Sequence, residues 1–150
     1  MPLLPIQKAK NQKLLLLNGH EIFLKREDLL HPFVSGNKFR KLKYNLIQAK
    51  FENHDKLLTF GGPFSNHLVA TAAAGRIEGF KIIGVIRGEV NSQNPTLQFC
   101  KDNGMTILPV SRSVYSQKDN KLFFESLKQK FGKFYTIPEG GTNRIGIRGC

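Results

Sequence analysis

The chain has 150 residues, 40% of them apolar and 23% charged, with 23 Lys plus Arg against 11 Asp plus Glu and a formal net charge of +12. That length suits one compact domain, and the apolar share excludes a disordered chain. Two cysteines exclude a disulfide scaffold, and the longest aliphatic run, Leu14 to Leu17, is far short of the ~20 residues of a membrane span.

The chain opens on Met-Pro-Leu-Leu-Pro, without the basic and apolar regions of a secretory signal, so a cytoplasmic location is expected. Glu21 to Lys25 predicts a strand, followed by a polar connection from Arg26 to Ser35 and a helix from near Asn37 to about Phe51. From Leu57 the pattern changes. Leu57–Phe60 reads as a buried strand, and Ile82–Ile86, Thr106–Val110 and Phe134–Ile137 read as further apolar strands. Between them, His67–Ile77, Pro95–Asn103 and Asp119–Phe131 read as helices, each closed by a following glycine. This alternation predicts an α/β fold: an open, parallel, Rossmann-like sheet of about four strands with helices on both faces.

Three segments could carry chemistry. In the first, Gly36 to Tyr44, Asn37 is a candidate N-cap, and Phe39, Leu42 and Leu46 share an inward face. Lys38, Lys41 and Asn45 share another. Two ammonium groups one turn apart depress each other's pKa, which suits either a neutral nucleophilic amine or a phosphate ligand. A solvated basic helix has the same spacing. The second segment, Phe60 to His67, joins a strand end to a helix start, where free N–H groups hold carboxylates or phosphates. Ser65 and Asn66 could equally be simple caps there. The third, Pro138 to Asn143, repeats that geometry. No Walker or Gly-x-Gly-x-x-Gly pattern follows any strand, and no metal-ligand spacing is present, so no metal is expected. The lysines are dispersed and no aromatic stacking platform accompanies them; neither a nucleic-acid nor a membrane partner is expected.

Taken together, Lys25-Arg26-Glu27-Asp28, Ser35-Gly36-Asn37-Lys38 through Lys41-Leu42-Lys43-Tyr44, Gly61-Gly62 with Ser65-Asn66-His67, Asn94-Pro95-Thr96 and Pro138-Glu139-Gly140-Gly141 carry a family resemblance. The chain resembles the fold-type-II pyridoxal-phosphate enzymes, which have a tryptophan-synthase-β-like fold. It is most similar to the 1-aminocyclopropane-1-carboxylate deaminase and D-cysteine desulfhydrase group. The resemblance implies pyridoxal 5'-phosphate as cofactor and a small amino acid as substrate. It implies Lys38 as the lysine that binds the cofactor as a Schiff base and later shuttles the substrate's proton. Lys41 matches a lysine near the cofactor phosphate, and Asn66 the asparagine beside the ring's phenolic oxygen. Ser65 and the N–H groups after it match the loop that grips the substrate carboxylate, so Ser65, Asn66 and His67 are the implied substrate contacts. His67 fits the desulfhydrase pattern better than the deaminase pattern, whereas Val69 departs from the arginine of many members.

Members of this family are about twice as long. The resemblance therefore implies an N-terminal portion with most of the large domain missing. Residues 1–45 would be an arm of the large domain carrying the lysine, 46–145 the small domain, and 146–150 the start of a further large-domain helix. Such a portion is expected to turn over little alone, and the full-length protein to be a homo-oligomer. The alternative is a non-catalytic module, derived from a truncated copy, that binds a carboxylate or a partner.

Overall fold

The computed structural model describes residues 7–91 and 93–150; the expectation drawn from the first five residues lies outside them. Four parallel strands form the body: β3 (Lys56–Gly61), β4 (Lys81–Arg87), β5 (Met105–Val110) and β6 (Tyr135–Ile137). Their spatial order is β5-β4-β3-β6, with Leu58 opposite Ile83 on one side and Thr136 on the other. The expected four-stranded parallel sheet is therefore present. Its sequence order reverses between β3 and β6, and such a reversal opens a crevice at the carboxyl ends of the strands.

Both faces of the sheet are covered. One face receives α1 (Gly36–Phe51), α2 (Asn66–Ile77) and α3 (Pro95–Asp102). There Leu42, Leu46 and Ala49 of α1 meet Leu57, Ala70, Ala73 and Ile137, while Leu68 and Ala72 of α2 meet Ile82, Ile86 and Leu97. The alanines of α2 have no bulk beyond Cβ, which lets this helix pack closely on the strands. The other face receives α4 (Arg112–Ser116) and α5 (Lys121–Phe131), with Tyr115 and Leu127 against Leu58, Phe60, Ile83 and Val85. Adjacent residues Leu57 and Leu58 thus point into different clusters, as the two-residue period of a strand requires.

Helix α1 runs unbroken through position 45, and Phe39 and Leu42 share a cluster with Leu46 and Ala49. The lysine-bearing turn is therefore continuous with the core of the sheet. A short final helix, α6 (Arg144–Ile147), packs along α1.

Two elements differ from the expectation. Asn11–Leu17 forms a strand, β1, that pairs antiparallel with β2 (His20–Lys25) around the turn Asn18-Gly19. Both turn residues have positive φ, 49° and 78°, as a two-residue hairpin with matched twist needs. Arg112–Ser116 is helical where no element was expected, capped by the Ser111 side chain accepting from the Val114 N–H. At the hairpin's base the Arg26 guanidinium spans Gln12 and Asp28, and Arg40 pairs with Glu27. These contacts hold the hairpin's end to α1. No helix among the described residues is long and apolar enough to cross a membrane.

Candidate active site at the β3–β6 crevice

Helix α1 begins one residue earlier than its sequence indicates. Gly36 adopts φ 55°, a left-handed conformation that favours glycine, and the Ser35 carbonyl accepts from the Lys38 and Phe39 N–H groups. Asn37 is consequently inside the helix, and the N-cap is Ser35, whose side chain makes no capping hydrogen bond. The same holds at α2: Ser65 is the N-cap, but its hydroxyl is not used to cap the helix. Its carbonyl accepts from Leu68 and Val69, which leaves the amides of Asn66 and His67 without a backbone acceptor. These two N–H groups, at the positive end of a 12-residue helix, are available to an anion.

The Lys38, Lys41 and Asn45 face of α1 is not a solvated one. Lys38 and Lys41 are half-buried and Asn45 is fully buried. This face lies against the segment after β6. The Lys41 Nζ donates to Thr142 Oγ1 at 2.8 Å. Asn45 and Asn143 exchange side-chain hydrogen bonds, at 2.8 Å and 3.3 Å, and the Tyr135 hydroxyl donates to Asn45 Oδ1 at 3.1 Å. Asn143 in turn caps α6 by accepting from the Gly146 N–H at 2.7 Å. One buried amide therefore fixes the third segment onto the lysine helix.

His67 joins the second segment to the third. Its Nε2 lies 2.8 Å from Thr59 Oγ1 on β3, and that hydroxyl also lies 2.8 Å from the Ile137 carbonyl oxygen on β6. The imidazole is 2% exposed, and its Nδ1 is buried with no hydrogen-bond partner. Gly141, at φ 71°, forms the neighbouring wall: a Cβ there would sit 3.2 Å from Lys41 Cβ and 3.4 Å from His67 Cε1. The three segments thus converge at the crevice where the strand order reverses.

Charge follows from this packing. Burial, and then the charge of Lys41, lowers the pKa of Lys38. Burial foremost, with the charges of Lys38 and Lys41, pulls the pKa of His67 down to about 3. The strands packed against the ring add only Thr59 and the Ile137 carbonyl, neither of which titrates. The folded chain thus excludes a proton that the unfolded chain binds below about pH 6.5. Stability from this residue is complete above that pH and is lost as pH falls toward 3. Between pH 7 and pH 5, urea unfolding of the wild type should lose about 2 kcal/mol more than that of His67→Gln.

Of the five expected site residues, Lys38, Lys41 and His67 are brought together. Ser65 and Asn66 occupy the turn leading into His67, half-buried and exposed respectively, and neither side chain hydrogen-bonds to the lysines. Thr59 was not singled out by sequence; Asn45 was placed on the lysine face and Thr142 and Asn143 in the third segment, but without a role. A recess of about 1260 Å³ lies at the carboxyl ends of β4 and β5, lined in part by Arg87, Arg112, Tyr115 and Lys118 and bordered by Pro63 and Glu139 of the second and third segments. None of the five expected residues lines it.

The sheet and the helices that cover it have the fold of the fold-type-II pyridoxal-phosphate enzymes. A crystal structure described as an ACC deaminase homologue, 30% identical, superposes with a TM-score of 0.73 over 97% of this chain and 46% of that one. A hydrogen sulfide-producing enzyme of Fusobacterium nucleatum, 17% identical, shares the fold with a TM-score of 0.64. No family model matches the sequence. Among curated proteins, a Thermotoga maritima protein provisionally named 1-aminocyclopropane-1-carboxylate deaminase is 37% identical over 87% of this chain and 43% of its own length. The bifunctional D-cysteine desulfhydrase/1-aminocyclopropane-1-carboxylate deaminase of Arabidopsis thaliana is 31% identical over 89% of this chain and 36% of its own length. The chain is thus similar to this deaminase and desulfhydrase family over most of its own length, and it spans less than half the length of these relatives.

Proposed function

We propose that this chain supplies the lysine-bearing part of a pyridoxal-phosphate enzyme that releases ammonia, or sulfide, from a small amino acid. In a protein of the relatives' length the reaction would be of D-cysteine desulfhydrase or 1-aminocyclopropane-1-carboxylate deaminase type. The observation that carries this reading is the placement of Lys38. It is half-buried, its pKa is lowered, and it lies at the crevice with no ion-pair or hydrogen-bond partner among the described residues. Such an amine is a nucleophile toward an aldehyde.

The residues present fit the cofactor. Lys41 offers a cation and Gly141 a wall without a side chain, beside the half-buried amine of Lys38. When bound, pyridoxal phosphate supplies an electron sink for charge developing at the substrate's α-carbon. The chain's own groups bind and orient. Lys38 holds the cofactor and carries a proton to and from substrate. The free amides of Asn66 and His67, with the unused Ser65 hydroxyl, hold the substrate carboxylate. The exposed Asn66 side chain is free to meet the ring's oxygen. The neutral His67 donates no proton to the reaction near neutral pH. The enzyme is read as cytoplasmic and as a homo-oligomer at full length.

Titration with pyridoxal phosphate tests the reading. The wild-type chain should develop a saturable visible absorbance band, and Lys38→Ala should not. Stabilisation by small amino acids without any such band would overturn it in favour of the non-catalytic carboxylate-binding module.

A further inference from the structure

The hydrogen bonds around His67 settle where its ring proton lies. A carbonyl oxygen cannot donate, so the hydrogen between Thr59 Oγ1 and the Ile137 carbonyl is the threonine's own. That hydroxyl has no second proton to give, so at 2.8 Å the His67 Nε2 must be the donor to it. A neutral imidazole carries one ring proton, and Nδ1 is therefore a bare lone pair. It is buried, and no described group donates to it. Leaving such an acceptor unpaired costs its full desolvation penalty.

On one face of α1, Lys41 abuts Gly141, the wall beside the ring, and Lys38 lies one turn away, so both ammonium charges act on the ring. Lys41 is already held by Thr142, at 2.8 Å. Lys38 has no partner among the described residues. A buried acceptor lacking a donor and an amine lacking an acceptor thus share one crevice.

We propose that His67 is a positioning residue for Lys38: its Nδ1, kept free of a proton by the Thr59 hydroxyl, accepts a hydrogen bond from the Lys38 amine and turns that amine's lone pair toward the open crevice. Thr59 acts through His67, and the Ile137 carbonyl acts through Thr59. A methyl in place of the hydroxyl would free the ring to take either tautomer, and the Nδ1–H form would present a donor where the amine needs an acceptor. The use made of the amine rests on the proposed function, but the hydrogen bond does not.

Nitrogen-15 NMR of the imidazole in the 150-residue chain reads the tautomer directly. The expected result is a single Nε2–H form at neutral pH, retained in Thr59→Ser and lost in Thr59→Val. The Nδ1 resonance should move by more in Lys38→Met than in Lys41→Met, which removes a charge but not the hydrogen-bond donor. A wild-type Nδ1–H tautomer, or an Nδ1 resonance indifferent to Lys38→Met, would overturn the proposal. A second readout is the rate at which pyridoxal phosphate becomes fixed to Lys38 by borohydride. It should fall roughly fivefold in Thr59→Val, the worth of about one hydrogen bond, and recover in Thr59→Ser. If the wild type takes up no pyridoxal phosphate while the NMR pattern holds, the functional reading fails and the hydrogen bond stands.

Discussion

Asn45→Ala should lower the unfolding free energy by about 3 kcal/mol in urea titration. Asn45 is fully buried, and its amide is the single partner that binds α1 to both β6 and the segment after it. Alanine removes the acceptor for the Tyr135 hydroxyl and for the Asn143 amide at once. Each stranded donor loses its hydration without recompense, and the missing side chain adds a small cavity. The loss extends to the site. Asn143 caps α6 and adjoins Thr142, the residue that holds the Lys41 ammonium. A change under about 0.5 kcal/mol would mean that this segment is anchored elsewhere.

The second large effect has a sign that helix propensity gets wrong. Gly146 lies within α6, where alanine is intrinsically favoured by about 1 kcal/mol. A Cβ at this position, however, would fall 2.3 Å from the Gly141 carbonyl oxygen and 3.1 Å from Asn143 Oδ1. The first obstacle is backbone, so no rotamer change relieves it. Gly146→Ala should therefore destabilise the chain by roughly 2 kcal/mol. It should also displace Gly141, which walls the crevice beside His67 and Lys41. Equal or greater stability in thermal and urea unfolding would show that α6 is not seated as described.

The sheet was legible because its central strands, β3 and β4, are buried on both faces and stand out as apolar runs between helical stretches. Leu57, Leu58, Ile82, Ile83, Val85 and Ile86 are all buried, so hydrophobicity alone marked them. Strand β1 was missed for the opposite reason. Leu14 to Leu17 are exposed and form no alternating pattern, although Asn18-Gly19 between two apolar runs is a direct hairpin signal. Helix α4 has only five residues, and its one buried side chain, Tyr115, leaves no periodicity to detect.

The site was legible in its parts and not in its joints. Lys38, Lys41 and His67 stand at positions that any α/β crevice would expose to a ligand, and the resemblance assigned them roles. The contacts that assemble them are long-range: Thr59 meets Ile137 across 78 residues, and Asn45 meets Asn143 across 98. No local spacing encodes such pairings. Ser65 and Asn37 show the converse error. Both are good cap residues by type, but at α1 the left-handed Gly36 moves the helix start to Ser35, and at α2 the Ser65 hydroxyl is left unused.

In the proposed function, one amine at the β3–β6 crevice is the point of attachment for a carbonyl cofactor. Incubation of the chain with pyridoxal phosphate, reduction with borohydride and mass-spectrometric peptide mapping would locate that attachment directly. The expected product is a pyridoxyl group on Lys38 at near-stoichiometric yield. A label on Lys41 or spread over the surface lysines, or no stable label, would contradict it.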